Sequence, residues 1–327
     1  MKNMNDLIKE ISIKEIEGVS IGHAQDENAK TGVSVIYFKN GAQAGCDISG
    51  GGPASRETPL TDPMTADNPL NAVVLSGGSA FGLAASDGVM KYLEEQGIGY
   101  NTGYALVPLV CQSCIFDLGY GKSNIRPDAA LGYEACKNAF ECCDDSIGNV
   151  GAGTGASVGK LMGMKQAQKA GLGIHAIQVG ELQIAAVVVV NAFGDIFNPE
   201  NGQKVAGLMD PTRSTFLDLE QMFLQFMSAS KDLFNSNTTI GCIITNAKFD
   251  KTKLNKIAAM TRNAYARCIN PVGTMADGDS IYACSVGEVV SDVNLVGTLS
   301  AKVMQKAILK AIEASKLPDD EYLSHCL

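Results

Sequence analysis

The chain has 327 residues, with 26 Lys and Arg against 35 Asp and Glu, a formal charge of −9. An acidic chain without a basic run, or basic residues interleaved with aromatics, is a poor partner for nucleic acid. No run of about 18 apolar residues occurs, which excludes a membrane-spanning helix, and the length fits two domains or one large layered α/β domain.

The opening residues 1–16 mix acids and bases and lack an apolar stretch, so the chain is read as cytoplasmic. Its ten cysteines are then expected to be free thiols, mostly buried. Cys111 and Cys114 form a CxxC pair, but no second pair or neighbouring His completes a zinc tetrahedron; no metal and no cofactor is expected.

Residues 33–38 (VSVIYF) read as an early strand. The apolar residues 72–75 run into the glycine turn 76–82 (SGGSAFG) and then into a helix. There Phe81, Ala85, Val89 and Leu93 recur every fourth position and Gly97 supplies the stop. Pro127 and Asp128 open another helix to about Phe140, with Pro in the first turn. A glycine-rich stretch fills 148–160. Residues 182–190 (LQIAAVVVV) are too apolar for a half-exposed strand and predict one buried on both faces. Ser214 is expected to cap a helix to about Met227. A polar stretch over 228–237 then leads to a strand opened by Thr239 and reaching Thr245. In the last third, Leu254, Ile257, Thr261, Tyr265 and Cys268 mark one helical face, and Val303, Ala307, Ile308 and Ile312 another. Strands covered by one another on one side and by helices on the other imply a layered sandwich. No repeat or long linker divides the chain, so 1–327 is read as a single domain.

Four familiar signatures come close and miss. Residues 153–160 (GTGASVGK) resemble a phosphate loop, but Thr154 stands where the first glycine belongs and Leu161 where a magnesium-binding hydroxyl belongs. Gly151, Gly153 and Ala156 fit a relaxed dinucleotide fingerprint, without a preceding strand or an acid about 20 residues on. Residues 77–81 lack the closing glycine of a nucleophile elbow. Three histidines, His23, His175 and His325, leave a Ser–His–Asp triad little room.

Residues 235–241 (NSNTTIG) lie where a polar segment meets a buried strand. A hydroxyl residue there can attack its own preceding carbonyl, and hydrolysis of the resulting ester leaves an N-terminal Thr. Such a Thr carries its own base, because an α-amino group has a pKa of about 7.7–8.0. Spacing alone also fits an ordinary turn.

The motifs taken together carry more. They are residues 18–24 (GVSIGHA), 31–36 (TGVSVI), 76–85 (SGGSAFGLAA), 127–132 (PDAALG), 151–160 (GAGTGASVGK), 190–194 (VNAFG), 237–246 (NTTIGCIITN) and 277–279 (DGD). In this order, over nearly the whole length, the chain resembles the L-aminopeptidase/D-esterase (DmpA-like) family of N-terminal-nucleophile hydrolases. That family includes β-peptidyl aminopeptidases and nylon-oligomer hydrolases. The resemblance implies a four-layer α/β/β/α sandwich and self-cleavage between Asn237 and Thr238, giving an α chain of 1–237 and a β chain of 238–327. It makes Thr238 the nucleophile, with its freed amine as base, and implies Lys160 and Asn191 as oxyanion stabilisers. Asp277 and Asp279 would orient the Thr238 amine and hydroxyl or bind a substrate ammonium, and Phe116, Gly78 and Ser79 would meet substrate.

Two departures qualify this. Many relatives carry Tyr where this chain has Phe116, so a hydroxyl contribution to the oxyanion site is missing. The Asp277–Asp279 pair and the Asn-Thr-Thr junction are similar to the nylon-oligomer hydrolase branch. The expected activity is an aminopeptidase or amidase on a small peptide, aminoacyl amide or ester. The alternatives are an endo-acting hydrolase of linear amides, an acyltransferase of ornithine-acetyltransferase type, and an uncleaved non-enzymatic member. The family also implies a homo-oligomer, a tetramer of αβ units or larger.

Overall fold

The computed structural model describes residues 7–227 and 237–327. Ten strands carry the architecture: β1 (Lys9–Ile11), β2 (Val19–Asp26), β3 (Thr31–Ile48), β4 (Ser55–Arg56), β5 (Leu70–Ser76), β6 (Val110–Cys114), β7 (Leu172–Val179), β8 (Leu182–Val189), β9 (Ile240–Ala247) and β10 (Ser280–Val289). The α-helices among the described residues are α1 (Ala85–Glu95), α2 (Ala129–Glu141), α3 (Leu219–Met227), α4 (Lys251–Thr261), α5 (Asn263–Cys268), α6 (Val293–Ala314) and α7 (Asp319–Ser324).

β3 is long enough to serve two sheets. Its first part pairs with β2 and β5, and its second part, from Gln43 to Ile48, pairs with β10. Between them the chain turns at Gly41, whose φ of +75° suits glycine and where a Cβ would press on Pro69 at 2.8 Å. One sheet runs β1-β7-β8-β9-β10-β3 and the other β2-β3-β5-β6-β4.

Three apolar layers follow from the alternation of side chains along each strand. On β8, Ile184, Ala186 and Val188 pack against α4, α5 and α6, while Ala185, Val187 and Val189 pack against the other sheet. This double burial is why 182–190 lacks polar alternation. On β3 and β5, Ile36, Phe38, Val73 and Leu75 join the inter-sheet core. Val33, Val35, Ala72 and Val74 turn outward onto Val89 and Leu93 of α1 and Ala135, Cys136 and Ala139 of α2. The fold is the expected four-layer α/β/β/α sandwich.

Four local expectations need correction. Ser214 does not cap α3. It sits in a turn whose N–H groups are taken by the Asp210 carboxylate, and the helix starts five residues later with Asp218 accepting from the Gln221 N–H. Pro127 stands before the cap of α2 rather than in its first turn, and Asp128 is the cap, accepting from the Leu131 N–H. The buried face from Leu254 to Cys268 belongs to two helices meeting at Arg262, and β9 starts at Ile240 rather than Thr239. The polar stretch over 228–236 lies outside the described residues. Among the described residues no helix is long and apolar enough to cross a membrane.

Candidate active site

Topology brings the sequence-predicted polar residues to one end of three adjacent central strands. β9 is antiparallel to β8 and parallel to β10, so its start meets the end of the first and the start of the second. Thr238 and Thr239 lead into β9, Asn191 follows β8, and Asp277 to Asp279 lead into β10. All five named side chains are buried, together with that of Lys160.

Thr238 is held from both sides. Its N–H donates to the Asn191 backbone carbonyl at 3.0 Å, and its hydroxyl donates to the carbonyl of Asn237, the residue before it. That same Asn237 carbonyl accepts the Gly278 N–H at 2.8 Å, and the Asn237 N–H donates to the Ala276 carbonyl at 2.7 Å.

Lys160 Nζ donates to the Asn191 side-chain oxygen at 2.7 Å and to its backbone carbonyl at 3.0 Å. The Asn191 backbone carbonyl therefore joins Lys160 to the Thr238 nitrogen. Its side-chain Oδ1 also accepts the Ser157 N–H, and its Nδ2 donates to the Phe116 carbonyl at 2.8 Å. The amide expected to face an oxyanion thus has one donor committed to Phe116. The loop bearing Lys160 is fixed by its own N–H and that of Gly159, which donate to Phe193 and Gly194 carbonyls after β8.

The two aspartates have separate tasks. Asp279 accepts the Thr239 N–H at 2.6 Å and the Gly273 N–H at 3.1 Å; Asp277 accepts the Thr274 hydroxyl at 2.7 Å and the N–H groups of Thr274 and Phe193. Neither carboxylate has a hydrogen bond to the Thr238 hydroxyl. Burial raises Asp279 to about 7, with the charge of Asp277 adding to the rise, while its two N–H donors and Lys160 oppose it. Burial also lowers Lys160 to about 7, against Asp277, Asp117 and Asp279, which favour its charged form.

A cavity of about 230 Å³ opens onto Lys160, lined also by Phe116, Asp117, Ser157 and Met164. Gly78 and Ser79 are not among its lining residues. Gly78 reaches it indirectly, donating its N–H to Asp117 at 2.7 Å, and the Ser79 N–H donates to the Ile115 carbonyl. Asp117, which also accepts the Thr31 hydroxyl at 2.6 Å, escaped the sequence reading. Its position next to Phe116 in a strand-end segment was the available signal. The triglycine 50–52 escaped it too. Ser49 and Gly50 N–H groups donate to the Asp279 carbonyl, and Gly52 donates to that of Asp277.

The glycine stretch near 151 is spent internally, since the Gly151 and Ala152 N–H groups donate to Gln25 and Ser34. Among the described residues no group of His, Cys, Asp and Glu is arranged to hold a metal ion.

Comparison with known proteins decides the family. The model of peptidase family S58 matches residues 12–317. The chain belongs to that family. An aminopeptidase of Mycobacterium leprae, itself described as uncharacterised, is 33% identical over 93% of this chain and 91% of its own length. A 6-aminohexanoate-oligomer endohydrolase of Paenarthrobacter ureafaciens is 30% identical over 91% of this chain and 84% of its own. The L-aminopeptidase D-Ala-esterase/amidase of Ochrobactrum anthropi, described as a variant of the Ntn hydrolase fold, superposes with a TM-score of 0.70. It covers 95% of this chain and 92% of its own at 17% identity. A β-aminopeptidase of a Burkholderia species gives 0.67 over 96% and 92%, also at 17%. This S58 chain is a hydrolase of peptide or amide bonds on that layered fold.

Proposed function

We propose that the chain cleaves itself between Asn237 and Thr238 and that the freed Thr238 is the nucleophile of an aminopeptidase or amidase. The observation that carries this reading is the Thr238 hydroxyl held on the carbonyl of Asn237 in a buried polar site. In self-cleavage the Thr238 Oγ1 bonds to the Asn237 carbonyl carbon, the C–N bond breaks, and the hydroxyl proton ends on the Thr238 nitrogen. Water then hydrolyses the ester, leaving chains of 1–237 and 238–327.

In turnover, Thr238 Oγ1 attacks the substrate carbonyl and its own amine takes the proton, so no histidine is needed. The amine keeps the Asn191 carbonyl as its anchor. Lys160, at the cavity wall, brings positive charge toward the oxyanion, and Asn191 holds Lys160 there. The Thr238 ammonium then passes its proton to the substrate nitrogen, which leaves as the free amine, and water hydrolyses the ester to release the acyl group from Thr238.

Wild-type protein should give two bands on a denaturing gel and Thr238→Ala one, with the smaller wild-type fragment beginning Thr-Thr-Ile-Gly. A single full-length wild-type band after long incubation overturns the reading. The Asp277–Asp279 pair and the 6-aminohexanoate-oligomer relatives favour a second reading, endo-cleavage of linear amides. Turnover of such an oligomer, compared with an aminoacyl p-nitroanilide, separates the two. The resemblance to known members and the ten free thiols support a cytoplasmic homo-oligomer of αβ units, which light scattering on processed protein tests.

A further inference from the structure

We infer that the backbone N–H of Gly278 is the oxyanion donor for the self-cleavage step, a catalytic role separate from that of Asn191 and Lys160 in turnover. The inference rests on the self-cleavage reading above and assigns its missing electrophilic partner.

When Thr238 Oγ1 adds to the Asn237 carbonyl carbon, the π electrons move onto the Asn237 oxygen, which becomes an oxyanion until the C–N bond breaks. A donor already aimed at that oxygen stabilises this charge without reorganisation. The Gly278 N–H lies 2.8 Å from it in the intact chain. The side chains expected to serve are engaged elsewhere: Asn191 Nδ2 on the Phe116 carbonyl and Lys160 Nζ on the two Asn191 oxygens.

The donor is also fixed from behind. The backbone carbonyls of the residues on either side of Gly278 are tied down, that of Asp277, in the donor's own peptide, by the Gly52 N–H at 2.9 Å and that of Asp279 by the Ser49 and Gly50 N–H groups at 2.9 and 3.2 Å. The side chains of both aspartates are anchored as described above. Glycine is required at 278 by contact: a Cβ there would stand 2.8 Å from Thr238 Oγ1 and 2.7 Å from the Gly52 carbonyl oxygen. The nucleophile, the scissile carbonyl and the donor thus meet at a position that tolerates no side chain.

The Gly278 to Asn237 bond also extends the β9/β10 ladder, whose next rung is the Ser280 N–H donating to the Thr239 carbonyl at 3.2 Å. That rung supplies the control. Replacing the 278 residue by glycolic acid turns its amide into an ester, removes the N–H and leaves the shape; the equivalent amide-to-ester exchange at Ser280 removes a rung that does not touch the scissile bond. Folding of each purified precursor is checked by circular dichroism and the cleavage rate is followed by intact mass.

We expect the 278 ester to slow cleavage about 100-fold and the 280 ester to leave it within about threefold of wild type. Equal rates for the 278 ester and wild type, or equal slowing by both esters, overturn the inference while leaving Thr238 as the nucleophile. Failure of wild type itself to cleave instead removes the reading on which it rests.

Discussion

Lys160 and Lys169 are buried to nearly the same degree, 4% and 6% exposed, and burial lowers both to about 7. They serve regions of opposite kind. Lys169 Nζ donates to the backbone carbonyls of Gly153, Ala156 and Ala170 and so closes the loop beside Ser157, with Asp117, which it shares with Lys160, as the carboxylate favouring its charge. Lys160 Nζ donates to Asn191, faces a cavity, and has Asp277, Asp117 and Asp279 around it. A displaced lysine pKa reports burial; the partners decide whether the cation braces a loop or faces a cavity, where the proposed mechanism uses it.

Substitution should split the two. Lys160→Met is expected to lower kcat roughly 100- to 1,000-fold through lost oxyanion stabilisation. Lys169→Met removes one donor from each of three carbonyls, of which those of Gly153 and Ala156 keep a backbone N–H, and should cost roughly 1–3 kcal/mol in urea unfolding, while kcat per folded molecule stays within a few-fold. If Lys169→Met instead matched the kcat loss of Lys160→Met at full stability, the division would be wrong.

A smaller effect lies in the pH dependence of stability. The folded pKa of Lys160 and of Lys169 is below the ordinary 10.5, so between about 7 and 10.5 the unfolded chain binds more protons and stability rises with pH. Each Met variant should flatten part of that rise, because both lysines share the cause. Asp279 behaves oppositely, being raised from 3.8 to about 7. Its contribution is fully present below 3.8 and fades as pH climbs to about 7, so Asp279→Asn should lessen that fall. Urea midpoints at pH 4.5, 7 and 9 are the measurement, and an unchanged Asp279→Asn profile would remove this assignment.

The smallest expected change is Phe116→Tyr. Phe116 lines the cavity and its carbonyl anchors Asn191, so a phenol there adds a donor near the oxyanion site without disturbing the anchor. A gain of a few-fold in kcat at constant KM is expected, and a fall in kcat would show that the ring faces substrate rather than the oxyanion.

Much of this was readable in the chain. The uninterrupted apolar run of β8 announced a strand with helices on one face and a sheet on the other, and Ile184 and Ala185 bear that out by entering different cores. The periodicity of Phe81 to Leu93 found α1, although Phe81 itself falls in a 3-10 turn and is exposed, because the glycine turn tightens the first residues. Ser214 misled, since Asp210 claimed the nearby N–H groups with a stronger acceptor. Asp277 and Asp279 were found as a pair, but their different anchors were invisible, because Thr274, Phe193 and Gly273 reach them only in the fold.

The sequence by itself determined the alternating and unbroken apolar patterns, and hence a layered sandwich, and it singled out a hydroxyl residue at the head of a buried strand. Those properties are local, set by side-chain period and by the chemistry of one peptide bond. Only the tertiary structure decided that Asn191, Lys160 and Gly278 surround that bond, that Asp117 stands in the cavity, and that Lys169 braces backbone carbonyls from a short strand paired with Ser157 and Val158. Their meeting depends on β9 running antiparallel to one neighbour and parallel to the other, a pairing between strands about 50 and 40 residues away in sequence that no local pattern encodes.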